Sequence, residues 1–377
     1  MATEPPSLQR IYRYPVKGLS PEPLVRTTLA PGQTQHVSFQ LTPSAFSYFS
    51  DAADNWAVAD GSYKIMVGDS SANLPLTGSV DITRTYGPQA VAVSAPHVVQ
   101  AGSTADVTAT FTNDADVPLH QAELKLTAPS GWSVQPASVP LGTVPAHGSA
   151  TATFRLTPPS GAAPGPGQLT AAARFVEEGV GPGSASGTAT VTVPYPSLPA
   201  AYNDVAVSDD SNPAAANFDG GGYSYSAQAL ASVGVTPGAT VNSGGFSFTW
   251  PSPPPGQPDS VTTSGQVVNV SGAGSQLAFL GAGTFGTQTG QVTVTYTDGS
   301  TSTGTLTLPD WYADAAVTGS QLVATAPHWN IPAGSTLDPN HKVSVYLTTV
   351  PLTAGKTVAY VTLPSDSNMH IFATAFG

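Results

Sequence analysis

The chain has no cysteine, so disulfide bonds, thiolate metal sites and cysteine nucleophiles are all excluded. Charged residues are also scarce, at 9% of the 377 residues, where an ordinary globular chain has about 25%. The 11 lysines and arginines form no basic cluster, and 23 acidic residues bring the formal net charge to −12. Binding to the phosphates of nucleic acid needs concentrated positive charge, so we expect no nucleic-acid partner.

Long apolar runs are missing as well. No stretch approaches the roughly 20 apolar residues of a membrane span, and we therefore expect no membrane partner. The first residues after Met1 are polar and lack the apolar run of a signal peptide. The surface composition, rich in Ser, Thr and Gly and poor in Lys, is nonetheless typical of exported proteins. We expect a piece of a secreted protein that has lost its targeting segment.

What the sequence does contain is a strand pattern with many turns. Hydrophobic residues reach 40%, alongside 38 Gly and 36 Pro. Short alternating segments predict half-buried strands, and Pro-Gly, Ser-Gly and Asp-Gly pairs between them predict turns. A helical period is found only over residues 226–233. The predicted strands include residues 107–112, 150–156, 292–296 and 343–347.

Two changes in composition divide the chain, one near Tyr86 and one at the proline-rich stretch that begins at Val193. The prediction is an all-β fold of tandem β-sandwiches. The predicted segments are an N-terminal segment (1–28), a partial sandwich (29–87), a complete sandwich (88–193), a linker (194–201) and a C-terminal sandwich (202–377).

The first module resembles a known domain. Residues 29–41, 46–49, 56–58 and 61–71 are similar, in order, to the fibronectin type III-like domain that closes family 3 β-glucosidases. The resemblance covers only the later strands of that domain. Residues 8–24 instead resemble the start of a MOSC domain, but the cysteine that relatives of that family use is absent, so no cofactor chemistry is carried over.

The other two modules resemble domains that accompany glycosidases. Residues 91–193 are similar to the NEW3-type domain, an immunoglobulin-like sandwich that the family uses as an accessory spacer; the matching motifs include residues 98–104 and 124–134. Residues 202–377 look like a C-terminal module common in actinobacterial glycosidases, with motifs at 208–212 and 217–226. The resemblance implies a jelly-roll-like sandwich of the kind that often binds sugars.

No catalytic constellation emerges from the sequence. Glycoside hydrolysis needs two carboxyl groups on either side of one bond. Every glutamate precedes Gly179, and the adjacent Glu177 and Glu178 would point to opposite faces of a strand. The seven histidines are scattered singly. We predict no catalytic residues and no certain cofactor in this chain.

Two binding sites remain candidates. Asp209, Asp210 and Asp219 concentrate oxygen ligands near glycines, which suits a structural calcium ion. The alternative is that these carboxylates form Asx turns with their own backbone.

Exposed aromatic rings can stack on the C–H face of a sugar. The carbohydrate-binding candidates lie in polar surroundings, and burial in the core is the alternative for them. They are Trp311, Trp329, Tyr223, Tyr225 and Asn330.

The sequence thus favours a non-catalytic accessory tail of a β-glucosidase-like glycoside hydrolase, partnered with the catalytic domain of that enzyme and with glycan. An autonomous carbohydrate-binding module is the first alternative. A surface or adhesion protein of stacked sandwiches is the second.

Overall fold

A computed structural model describes residues 12–13, 22–23, 32–33, 41, 43–50, 55–58, 61–68, 72–82, 89–177 and 181–377. These residues form two compact units. One comprises the described residues of 1–97, 104–159 and 168–191, and the other comprises those of 98–103, 160–167 and 192–377. The N-terminal segment with the MOSC-like start lies almost wholly outside the described residues.

In the first module the described residues form antiparallel pairs of strands. A 3₁₀ turn at Pro43–Phe46 leads into the second pair, and Phe46 packs edge-on against Tyr63, with 5.2 Å between ring centroids. The strands are β1 (Tyr12–Arg13) with β2 (Glu22–Pro23), β3 (Ser47–Ser50) with β4 (Asn55–Val58), and β5 (Gly61–Val67) with β6 (Leu76–Ile82).

The second module is a sandwich of two four-stranded sheets. Alternation puts Val107, Ala109 and Phe111 on the inner face of one sheet, and Phe111 stacks on Phe175 of the other at 5.3 Å. The strands are β7 (Ala90–Ser94), β8 (Ala105–Thr112), β9 (Leu119–Thr127), β10 (Ser133–Gln135), β11 (Ser138–Val144), β12 (Ser149–Thr157), β13 (Gly165–Glu177) and β14 (Gly181–Val193). One sheet has the order β10-β12-β8-β7 and the other has the order β11-β9-β13-β14.

Asn113 directly follows β8 and is fully buried. Its amide nitrogen donates to the carbonyl oxygens of Val117 (2.9 Å), Val144 (3.2 Å) and Pro145 (2.9 Å), and its Oδ1 accepts from the backbone N–H of Ala115 (2.9 Å). One side chain therefore satisfies backbone groups from two loops, where water would otherwise be needed.

We expect Asn113→Ala to lower the free energy of unfolding by about 2 to 3 kcal/mol, because it leaves buried backbone groups without partners. Urea denaturation followed by circular dichroism measures this change. The matched control is Thr110→Ala, which removes only an exposed hydroxyl contact with Thr151 and is expected to cost less than about 1 kcal/mol. Equal losses for the two variants would contradict the role given to Asn113.

The third module is a larger sandwich. The strands are β15 (Val207–Ser208), β16 (Ser224–Ser226), β17 (Thr240–Ser243), β18 (Phe246–Thr249), β19 (Val261–Ser264), β20 (Val267–Gly272), β21 (Gln276–Gly283), β22 (Gln288–Tyr296), β23 (Thr301–Leu308), β24 (Ser320–Ala326), β25 (Trp329–Asn330), β26 (Val343–Pro351), β27 (Val358–Thr362) and β28 (Ser365–Phe376). A five-stranded sheet of order β19-β28-β21-β26-β24 and a four-stranded sheet of order β20-β27-β22-β23 enclose the core.

Helix is confined to short pieces in the part of the chain that the structure describes. The predicted helix is confirmed as α1 (Ala227–Ser232), where the Ser226 hydroxyl caps the N-terminus by accepting from the backbone N–H of Ala229 at 3.0 Å. Two 3₁₀ turns, Pro199–Ala201 and Pro213–Ala215, precede it. Among the described residues, no helix has the length and apolar character to cross a bilayer.

The prediction of an all-β fold built from sandwiches is confirmed. In the third module the strands approach closely at glycines. A Cβ atom on Gly281 of β21 would lie 2.2 Å from the carbonyl oxygen of His370 in β28. The absence of a side chain there lets the two strands meet at an irregularity in their register, next to the site described below.

Candidate functional site

The third module has an open depression of about 350 Å³ on its surface, at the lower end of the volumes typical of small-molecule sites. Strands β19, β28 and β21 are neighbours in the five-stranded sheet and supply part of the lining. In the register of these strands, His370 lies opposite Thr262 on one side and Ala282 on the other. The lining also includes Asp204, Asn217, Asp219, Thr284, Phe285, Ser367 and Asn368.

His370 is 3% exposed yet lines this depression. Its Nδ1 lies 3.1 Å from Oδ2 of Asp204 and 3.3 Å from Oγ1 of Thr262. Asp204 is itself held by the Ser260 hydroxyl, which donates to the same Oδ2 at 3.0 Å. In its neutral form an imidazole that donates from Nδ1 keeps Nε2 as an acceptor. Nε2 has no hydrogen-bond partner among the described residues.

The ring of His370 packs against the ring of Phe218, with 4.2 Å between the two centroids. Packing and the hydrogen bond to Asp204 therefore hold the imidazole in one orientation. A side chain that is locked in this way costs little conformational entropy when it binds a ligand.

Phe285 is the second unusual residue of the depression. Its side chain is 73% exposed, and its backbone has a φ of 56°, the left-handed region that non-glycine residues seldom adopt. The turn that carries it is fixed on both sides: the carboxylate of Asp310 accepts from the N–H of Gly286 at 2.5 Å, and Gln288 donates to the Thr284 carbonyl at 2.7 Å. The fold thus holds the Phe285 ring in solvent, on a residue whose backbone conformation is strained.

The charge of the depression is negative or neutral. Asp204 and Asp219 belong to the lining, and no lysine or arginine does. Asn217, Thr262, Ser367 and the other uncharged polar residues surround them. This set of groups matches a neutral ligand rich in hydroxyl groups better than an anion.

The Asp204–His370 pair also has the arrangement that orients a catalytic base. An Asp–His pair orients the base in many hydrolases, and the base then needs a hydrogen-bonded nucleophile. Ser367 shares the depression, but among the described residues no hydrogen bond joins it to His370. The arrangement provides one oriented acceptor and one exposed ring.

The structure places most of the sequence-derived sugar-binding candidates in the interior. Trp311 and Trp329 are 2% and 4% exposed, and their ring centroids are 5.6 Å apart. Tyr225 is fully buried, packs edge-on against Trp311 at 5.0 Å and donates its hydroxyl to the Ser344 carbonyl at 2.7 Å. Burial in the core, the alternative drawn from the sequence, describes these three rings.

The remaining two candidates lie beside that core. Asn330 is buried, and its amide donates to the carbonyl (3.1 Å) and the hydroxyl (2.9 Å) of Ser208. Tyr223 is half-buried and stacks on Trp329 with 4.6 Å between centroids. Of the five candidates, Tyr223 alone has a partly exposed side chain, and the other four are buried. None of the five lines the depression.

The proposed calcium ligands are engaged in local hydrogen bonds. Asp209 Oδ1 accepts from the N–H (2.8 Å) and hydroxyl (2.6 Å) of Ser211, which lowers the carboxyl pKa below its ordinary value. Asp210 accepts from Ser226 and lies 3.1 Å from His328.

Asp219 Oδ1 accepts from the N–H groups of Gly221 (2.8 Å) and Tyr223 (3.2 Å). Within the described residues, no three acidic or histidine side chains come together as a metal site. Hydrogen bonds of the Asx-turn type account for Asp209 and Asp219, and calcium binding stays a prediction.

Sequence reasoning missed Asp204, His370 and Phe285. The first two are 166 residues apart and meet only through the order of the strands. Phe285 could have been noticed from its sequence neighbours, because an aromatic residue next to Gly286 stands in the short connection between β21 and β22.

The fold defines the chain as an all-β protein of sandwich domains, and comparison with known families agrees. Residues 25–71 match the fibronectin type III-like domain, residues 99–176 match the NPCBM-associated NEW3 domain of alpha-galactosidase, and residues 194–376 match the AziU2-like beta-sandwich domain. The resemblance of the first two modules to fibronectin type III-like and NEW3 domains is confirmed. This combination is consistent with the C-terminal accessory region of a family 3 glycoside hydrolase.

Two curated relatives are fungal. The chain is 40% identical to "Probable beta-glucosidase D" of Aspergillus niger over 57 residues, and 39% identical to "Probable beta-glucosidase M" of the same species over 57 residues. Each match covers 15% of this chain and 8% of the relative. Among solved structures, the CARDB domain of a Pyrococcus furiosus protein is 16% identical over 30% of this chain and 94% of its own, with a TM-score of 0.23. That score is too low to define a shared fold.

Proposed function

We propose that this chain is the non-catalytic accessory region of a secreted, β-glucosidase-like glycoside hydrolase. It spaces and stabilises the catalytic domain of that enzyme, and it binds glycan. The observation that carries the proposal is the succession of a fibronectin type III-like segment and a NEW3 domain. The similarity of a short stretch to fungal β-glucosidases supports the same parentage.

The geometry supports a binding role over a catalytic one. Glycoside hydrolysis requires two carboxyl groups about 5 to 10 Å apart across a sugar. The depression contains two carboxylates, but Asp204 is hydrogen-bonded to His370 and Ser260, and Asp219 accepts from the N–H groups of Gly221 and Tyr223, so both are engaged within the fold. An autonomous carbohydrate-binding module, the first alternative, would use the same depression without a parent enzyme.

The expected result for the isolated chain is no release of nitrophenol from nitrophenyl glucosides. In a parent enzyme that contains this region, its deletion is expected to shorten the half-life of activity at elevated temperature while kcat on small substrates stays the same. Turnover by the isolated chain that disappears on changing one aspartate would contradict the proposal. A DNA sequence without an in-frame glycosidase upstream would favour the autonomous module.

A further inference from the structure

We propose that the depression of the third module binds one neutral pyranose unit of a glycan, with the Phe285 ring against the C–H face of the sugar and His370 Nε2 accepting from a hydroxyl group. This inference rests on the proposed function, because it names the ligand class and the residues of the glycan site.

The exposure of Phe285 is the first argument. An apolar ring in water is unfavourable, and a left-handed backbone at a residue with a side chain adds to the cost. Neither local preference nor burial accounts for this arrangement. It is maintained by the Gly286 N–H, which donates to the Asp310 carboxylate, and by the Gln288 amide, which donates to the Thr284 carbonyl. A planar apolar surface beside polar groups is what a sugar ring requires, since its C–H groups form an apolar face and its hydroxyls lie at the rim.

The second argument is the imidazole of His370. It is buried, its Nδ1 is occupied by Asp204 and Thr262, and Nε2 is left without a partner among the described residues. Among the described residues, the buried side-chain polar atoms that lack a partner do not include Nε2, so this nitrogen is open to solvent at the depression. A sugar hydroxyl that replaced water at Nε2 would gain an acceptor whose position is already fixed.

The charge of the lining determines which sugars the depression can bind. Asp204 and Asp219 line the depression and nothing in the lining except His370 can bear a positive charge. An acidic sugar would place its carboxylate near these two groups at a cost in free energy, so the site favours neutral sugars.

Affinity electrophoresis of the full chain through gels that contain a soluble neutral polysaccharide tests the inference. The probes are β-glucan, xylan, mannan and galactan, each in a separate gel, with polygalacturonate as the acidic counterpart. We expect retardation by at least one neutral polysaccharide and weaker retardation by polygalacturonate. Migration unaffected by every neutral probe would overturn the inference.

Variants then locate the site on the probe that retards the chain most. Phe285→Ala should weaken binding tenfold or more, and Phe285→Trp should retain it. Asn368→Ala removes an uncharged polar group from the lining and should weaken binding about fivefold. The matched control is Tyr312→Ala, which removes another exposed aromatic ring outside the depression. Circular dichroism confirms that each variant is folded.

Binding by Phe285→Ala that equals binding by the unaltered chain would overturn this inference, and would leave the proposed accessory function standing with its glycan site elsewhere. A loss with Tyr312→Ala but not with Phe285→Ala would do the same and would move the site to the Tyr312 surface. Failure of the accessory function itself shows in the separate assays of turnover and of enzyme half-life.

Discussion

Replacing Phe218 with alanine is expected to lower the free energy of unfolding of the third module by about 3 to 5 kcal/mol. Phe218 is 2% exposed and touches four other rings. Its centroid lies 5.1 Å from Tyr225, 4.9 Å from Trp311, 4.2 Å from His370 and 6.0 Å from Phe372. Truncation removes the centre of this cluster, and rings of this size cannot collapse into the space without leaving their preferred rotamers.

Urea denaturation monitored by tryptophan fluorescence measures this loss, since Trp311 and Trp250 lie in the same core. Phe285→Ala is the matched control, because it removes the same side chain from an exposed position and is expected to change stability by less than about 0.5 kcal/mol. If Phe218→Ala unfolded at the same urea concentration as the control, the cluster would not stabilise the module as described.

The stability of the third module is also expected to fall as the pH rises from 4 to 7, because of Asp259. Burial raises the pKa of this carboxyl to about 7, and the nearby charge of Asp204 adds to the shift. The N–H groups of Ala206 (2.8 Å) and Val207 (3.1 Å) donate to its two oxygens and oppose the rise. The burial of the carboxylate outweighs these two hydrogen bonds.

The direction of the pH effect follows from the raised pKa. Below pH 4 the carboxyl is protonated in both folded and unfolded chains, and its full contribution is present. Between pH 4 and 7 the unfolded chain ionises more readily, so the contribution is lost at about 1.4 kcal/mol per pH unit, to a total of roughly 4 kcal/mol. Above pH 7 no further change comes from this group.

Urea denaturation at half-unit steps from pH 4 to 8 tests this dependence. Asp259→Asn has no carboxyl to titrate, so the difference in unfolding free energy between the unaltered chain and the variant should shrink or change sign across this range. Parallel curves for the two proteins would show that Asp259 titrates alike in the folded and unfolded chains, against the expectation.

Much of the fold could be predicted from the sequence because its determinants are local. Alternating residues such as Val107, Ala109 and Phe111 define the buried face of their own strand. The helix at Ala227–Ser232 has its cap, Ser226, next to it in sequence. Turn pairs such as Asp298-Gly299 need only their own conformation, with φ of 82° at the glycine.

The site could not be predicted in the same way. The polar neighbours of Trp311 and Trp329 left both exposure and burial open. Burial depends on which distant segments cover a residue, and here Phe218 and Tyr225 cover Trp311. The pairing of His370 with Asp204 depends on β28 lying between β19 and β21, and no sequence pattern within either segment encodes that order.

Strand β28 carries Asn368 and His370 at the depression and Phe372 in the core within five residues. The depression is therefore intact only when the sandwich as a whole is folded. A ligand that binds there must stabilise the entire module, and at one hundred times its dissociation constant it would add about 2.7 kcal/mol. A rise in melting temperature across a collection of simple sugars is then enough to identify the ligand without any assay of activity.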